Sequence, residues 1–153
     1  MAFVLTLPGF PVLYMPASAL IAHRLRRRGA TGGSAVMAST IASFAAHHLV
    51  KVFVVRARPP SQRGKANALE AFPSGHTTPV TAAALTTAWV LGREGIGSPS
   101  RMLPIALGLP AVVGATRIYL DRHWTTDVLG GWALGAAVSA AADLLYELGR
   151  DRA

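Results

Sequence analysis

Apolar residues along this chain come in long runs, and the charged residues gather in short stretches between them. Five runs stand out, at residues 3–22, 34–55, 76–92, 102–120 and 126–148. Each approaches the ~20 residues a helix needs to cross the hydrocarbon core of a bilayer. The third is the shortest, and the first and fourth contain prolines (Pro8, Pro11, Pro16; Pro104, Pro110). Membrane helices tolerate these where neighbours satisfy the freed carbonyls. Small residues crowd the second, third and fifth runs, in Ala38-Ser39-Thr40, in Ala82-Ala83-Ala84 and from Gly130 to Ala142. Such faces let helices pack closely in lipid. The pattern predicts an all-α, integral membrane helical bundle of about five transmembrane helices, without internal repeats or a disordered linker.

Composition agrees. Hydrophobic residues make up 52% and charged residues 14%, against roughly 25% charged in soluble domains. A length of 153 residues suits one domain, read as 1–153, with no room for a second soluble one. The chain has no cysteine, which excludes disulfides and thiolate metal sites. Basic residues number 15 against 7 acidic, a net charge of +8. No basic stripe is interleaved with aromatics, so anionic lipid headgroups and orientation signals explain this charge better than nucleic acid. The Ala- and Arg-rich, Lys-poor usage is associated with GC-rich bacterial genomes, and the expected location is a bacterial cell (inner) membrane.

Orientation follows from the loops. Arg24, Arg26, Arg27 and Arg28 come directly after the first run, with no basic residue before it, which places that loop in the cytoplasm. The same features make the first run a span rather than a cleaved signal peptide. Alternation then puts eight basic residues inside and seven outside, a near-tie that topology alone does not explain.

Three polar clusters fall on the outer side. Lys51, Arg56, Arg58 and Pro59 end the second run, Pro73-Ser74-Gly75-His76 opens the third, and Arg117, His123 and Asp127 join the fourth to the fifth. Lys51, Arg58 and Arg117 supply positive charge, and a guanidinium can fork two phosphate oxygens. Ser74-Gly75-His76 sits at a helix start, where free N–H groups favour an anion. His76 and His123 can serve as acid, base or nucleophile near neutral pH. Asp127 follows His123 by four residues, so in a helical turn its carboxylate can hold the second imidazole nitrogen. This is an anion site with a proton-transfer pair.

The spacing Lys-x6-Arg-Pro, then Pro-Ser-Gly-His, then Arg-x5-His-x3-Asp resembles the type 2 phosphatidic acid phosphatase superfamily, over a core signature at 51–127. Its third motif usually opens Ser-Arg and here reads Thr116-Arg117. Membrane members commonly have six spans, one more than the five counted here. The resemblance implies a membrane lipid phosphatase that hydrolyses a terminal phosphate from a lipid phosphate or pyrophosphate, polyprenyl or glycerolipid. By that likeness His123 attacks phosphorus and becomes a phosphohistidine, Asp127 orients it, and His76 protonates the leaving oxygen and then activates water. Lys51, Arg58, Ser74, the Gly75 N–H and Arg117 hold the phosphate, with no metal or other cofactor. The active site then faces the periplasm or exterior. Its partners are the lipid phosphate substrate and membrane lipids. The rival reading is a non-catalytic lipid-binding or assembly protein that retains such a site.

Other polar residues read more plainly. His47 and His48 are expected to hydrogen-bond between helices. Arg56, Arg63, Lys65, Glu70 and Arg122 tune headgroup choice or are solvated loop charges. Asp143 and Glu147 pair locally, and Trp89, Trp124 and Trp132 are interface anchors or packing groups.

Overall fold

The computed structural model describes residues 2–62, 64 and 67–152; Arg63 and Lys65 lie outside the described residues. The described chain is helical throughout its length apart from turns and loops. Its elements are α1 (Ala2–Leu5), α2 (Pro11–Arg27), α3 (Gly33–Phe53), α4 (Thr77–Arg93), α5 (Pro99–Tyr119) and α6 (Thr125–Arg150). By length and composition α3, α5 and α6 can each cross a membrane. At 17 residues, α2 and α4 are somewhat shorter.

The first apolar run is not one helix. A 3-10 turn at Leu7–Gly9 separates α1 from α2. Pro8 and Pro11 have no N–H to donate, and Phe10, which precedes Pro11, is extended (φ −85°, ψ 138°). Pro11 then starts α2 from its first turn, where a missing N–H costs nothing. At the other end α2 runs past residue 22 and takes Arg24, Arg26 and Arg27 into its last turn. There they complement the exposed carbonyls and the helix dipole.

α4 lies at the centre, packed on α6, α5 and α3. Its approach to α6 depends on glycines. A Cβ on Gly135 would lie 2.5 Å from the Thr78 carbonyl oxygen, and one on Gly131 would lie 3.2 Å from that of Ser74. Small side chains thus seat α6 against the turn that carries Ser74 and His76. Hydroxyls join helices as well. Thr40 donates to Ser18 across α3 and α2 at 3.0 Å, and Thr86 pairs with Ser139 across α4 and α6 at 2.9 Å. Ser139 also donates to Asp143. In hydrocarbon such bonds replace the water a soluble protein would use. Many large apolar side chains face outward, Leu103, Ile105, Leu144 and Leu145 among them, as a lipid-facing surface requires.

Alternating helix direction brings the end of α3, the start of α4, the end of α5 and the start of α6 to one end of the bundle. All three polar clusters are there.

Candidate active site

At that end a cavity of about 400 Å³ is lined by Lys51, Arg58, Gly75, His76, Arg117 and His123, together with residues of the N-terminal segment. Six of the eight residues expected to form the site therefore share one enclosure. Ser74 and Asp127 stand behind its wall.

His123 sits in the short turn between α5 and α6 and is 3% exposed. Its Nδ1 lies 2.8 Å from the Ala71 carbonyl oxygen. A carbonyl only accepts, so Nδ1 carries the proton and the neutral ring keeps its lone pair on Nε2. The Asp127 carboxylate is farther away, with Oδ2 at 3.5 Å from the same nitrogen. Asp127, expected to hold this nitrogen, stands beside it, while the backbone of Ala71 makes the shorter bond. Burial is the main cause that lowers the His123 pKa. The Asp127 contact opposes that shift, and Arg58 and Arg117 add to it. The balance of these causes favours the neutral ring.

Asp127 is fully enclosed at the third position of α6 and is tied on both oxygens. Oδ2 accepts the Trp124 N–H at 2.8 Å, capping the helix start. Oδ1 accepts from Arg56 Nη1 at 2.7 Å, and Arg56 also donates to the Thr126 hydroxyl. A buried carboxylate needs a partner of this kind. Arg56 is therefore more than a loop charge, although its side chain is still 37% exposed. Sequence reasoning passed over it because Arg56 and Arg58 stand alike beside the same span.

The cations of the cavity meet neutral acceptors. Lys51 Nζ donates to the Glu70 carbonyl. Arg58 donates to the carbonyls of Asn67 (2.9 Å), Arg122 (3.1 Å) and Glu70 (3.3 Å). Arg117 donates from Nη1 to the Thr6 hydroxyl at 3.0 Å. None of these contacts is an ion pair, and with Arg122 four lining cations stand against the one lining carboxylate of Glu70 among the described residues, so the cavity is electropositive.

His76 forms the N-cap of α4, with its ring edge-to-face against Phe10 at 4.6 Å between centroids. Its Nε2 is buried without a hydrogen-bond partner among the described residues. Gly75 passes close to His47; a Cβ there would be 3.0 Å from the His47 ring, which only glycine avoids without displacement. Ser74 is buried and does not line the cavity. Its hydroxyl accepts from the Thr77 hydroxyl at 2.8 Å and its N–H donates to the Asp127 carbonyl, which joins two motifs through the backbone. His47 also differs: Nδ1 bonds the Ser43 carbonyl one turn back in α3, within its own helix rather than between helices. The Trp124 indole donates to the Ala57 carbonyl and that of Trp132 to the Pro110 carbonyl, as packing groups do. Among the described residues no three His, Asp or Glu side chains converge as a metal cage.

Among the described residues the cavity gathers four histidines (His47, His48, His76, His123), four cations (Lys51, Arg58, Arg117, Arg122), one carboxylate (Glu70) and the start of α4. Residues 32–147, which contain every site residue expected from the motifs, match the PAP2 superfamily. The chain belongs to the PAP2 superfamily. It is 35% identical over 149 residues to decaprenylphosphoryl-5-phosphoribose phosphatase of Mycobacterium tuberculosis, covering 95% of this chain and 75% of that one. It is 33% identical over 90 residues to phosphatidylglycerophosphatase B of Bacillus subtilis, covering 57% and 44%. An undecaprenyl-diphosphatase of Sulfolobus acidocaldarius is 32% identical over 68 residues, covering 44% and 30%. In fold the chain matches the crystal structure of a transmembrane PAP2-type phosphatidylglycerolphosphate phosphatase from Bacillus subtilis. The TM-score is 0.83 at 22% identity, over 95% of this chain and 75% of that one. As a PAP2 member with this architecture, the chain is a multi-pass membrane lipid phosphatase.

Proposed function

We propose that residues 1–153 act as a single catalytic unit that cleaves a terminal phosphate from a polyprenyl- or glycerolipid-linked substrate through a phosphohistidine, without a metal. The observation that carries this reading is the His123 tautomer. With Nδ1 committed to the Ala71 carbonyl, Nε2 is the free nucleophile in a cavity that also holds His76, Lys51, Arg58 and Arg117. In the first step Nε2 attacks phosphorus, the bond from phosphorus to the lipid-side oxygen breaks, and His76 gives that oxygen a proton. In the second, His76 takes a proton from water, the hydroxide attacks phosphorus, the P–N bond breaks and inorganic phosphate leaves. Lys51, Arg58, the Gly75 N–H and Arg117 offset the charge on the equatorial oxygens, the task Mg²⁺ performs in many other phosphoryl transferases. Ser74, with its hydroxyl turned to Thr77, supports the turn that presents Gly75 and His76.

The relatives are named for a polyprenyl-phosphoryl sugar phosphate, a glycerolipid phosphate and a polyprenyl diphosphate. These share a terminal phosphate beside a lipid anchor, which is the substrate class proposed here. Phosphate release from detergent-solubilised protein on a panel of these three classes tests it. Activity should persist in EDTA and be inhibited by vanadate. Loss in EDTA that Mg²⁺ or Zn²⁺ restores would overturn the metal-free mechanism.

The site is proposed to face the periplasm or exterior. Setting aside Lys51, Arg58 and Arg117 as phosphate ligands leaves the loops with eight basic residues inside and four outside, the bias a membrane protein normally shows. Ser61 and Ser98 are both exposed, on loops at opposite ends of the bundle. With single cysteines at these positions, Ser61→Cys should react with an impermeant maleimide on intact spheroplasts, and Ser98→Cys only after lysis. The reverse pattern puts the site in the cytoplasm.

A further inference from the structure

Arg117 is held by a residue that belongs to none of the three motifs. Its side chain is enclosed, 6% exposed, and Nη1 donates to the Thr6 hydroxyl at 3.0 Å. Its Nε is buried and has no hydrogen-bond partner among the described residues. A guanidinium is planar, and its five N–H groups point in fixed directions. Fixing Nη1 therefore fixes where the side-on edge, Nε–H with Nη2–H, is aimed. That edge has the geometry to fork two oxygens of a phosphate.

Thr6 is itself firmly placed. It is 2% exposed, its carbonyl accepts the Gly9 N–H at 3.0 Å, and both Thr6 and Phe10 line the polar cavity. Phe10 and Gly9 pack on His76: the Phe10 ring lies edge-to-face with it, and a Cβ on Gly9 would be 2.7 Å from the His76 Cβ. The break in the first apolar run is what sends this segment back over the cavity.

We propose that Thr6 is a positioning residue for phosphate binding: by accepting from Nη1 it turns the Nε–Nη2 edge of Arg117 toward the substrate phosphate. This rests on the reading of Arg117 as a phosphate ligand. A bland alternative is that Thr6 only fills space, and Thr6→Val separates the two because it keeps the shape and removes the acceptor. A freed guanidinium N–H in an enclosed site loses the partner it has among the described residues, and the fork loses its aim.

The test uses the purified full chain in detergent, with turnover of a lipid phosphate and competitive inhibition by inorganic phosphate as readouts. Thr6→Val should raise both KM and the phosphate inhibition constant roughly tenfold, the weight of one hydrogen bond to a charged group. Thr6→Ser should restore both. In an Arg117→Lys background Thr6→Val should add little, since the two act as one unit. Wild-type phosphate inhibition in Thr6→Val, a loss that Thr6→Ser does not rescue, or faster turnover in Thr6→Val would overturn the proposal alone. Unchanged phosphate inhibition in Arg117→Lys would overturn the phosphate-site reading and this proposal with it.

Discussion

At the end of the bundle where α4 and α6 terminate, Arg93 forks the Glu147 carboxylate at 2.8 and 2.7 Å, and the Trp89 indole donates to the same group. Beside it Glu94 accepts from the Tyr146 hydroxyl at 2.7 Å and from the Thr31 and Gly32 N–H groups at the start of α3. At the opposite end Lys51, Arg58 and Arg117 meet only carbonyls and one hydroxyl. Arginines and carboxylates are present at both ends, but at one they neutralise each other and tie helix ends together. At the other, the carboxylate of Asp127 is taken by Arg56, outside the cavity, and Lys51, Arg58 and Arg117 make no ion pair among the described residues, although Glu70 lines the cavity beside them. A paired charge holds structure in place; an unpaired one, enclosed by protein walls, is available to an anion.

The contrast predicts which substitutions stop chemistry. His123→Ala should lower kcat by roughly 10³-fold or more, as removal of a nucleophile does elsewhere. Glu147→Gln, at the far end, should leave kcat/KM within about twofold of wild type and lower Tm only slightly, because its pair is solvent-exposed. Phosphate release and thermal unfolding on the two purified variants measure both. If the Glu147 variant loses turnover and the His123 variant keeps it, the ends have been read the wrong way round.

A smaller effect sharpens the division at the site end itself. Arg56 belongs with the structural charges by its pairing but stands behind His123 through Asp127. Arg56→Ala should therefore lower kcat roughly tenfold to a hundredfold, the usual scale for a group that orients a reacting one through another. KM should move little, since Arg56 does not line the cavity. An equal rise in KM would make Arg56 a phosphate ligand instead.

The smallest expected effect is on pH. A nucleophilic base with a lowered pKa stays neutral to lower pH, so the acid limb of kcat should lie below the ordinary imidazole value of about 6.5. Asp127→Asn removes the contact that raises the His123 pKa and should push the limb lower still. Arg58→Gln removes a charge that lowers it and should bring the limb back up. Limbs that move the opposite way would show that another group titrates.

Much of this site was legible in the sequence because its chemistry depends on residue type. Phosphate needs cations and phosphoryl transfer needs imidazoles, so Lys51, Arg58, Arg117, His76 and His123 are marked by what they are and by where they stand along the spans. The groups that orient them carry no such mark. Every residue has a carbonyl, so nothing about Ala71 announces that it would set the His123 tautomer. Arg56 and Arg58 read alike, and only the turn after α3 aims one at Asp127 and the other at the cavity. Ser74 has the right hydroxyl for a phosphate, yet the tight start of α4 turns it to Thr77.

The fold divides in the same way. Long apolar runs and small-residue faces determine by themselves that the chain forms membrane helices that pack closely, since lipid leaves the backbone no other way to satisfy its polar groups. They do not determine how the first run bends. Pro8 and Pro11 mark a weak point, but only packing against α4 and α5 decides that the segment returns over the cavity to place Thr6 on Arg117. Local residue type is written along one chain, whereas direction and contact arise between distant segments and exist only once the bundle is assembled.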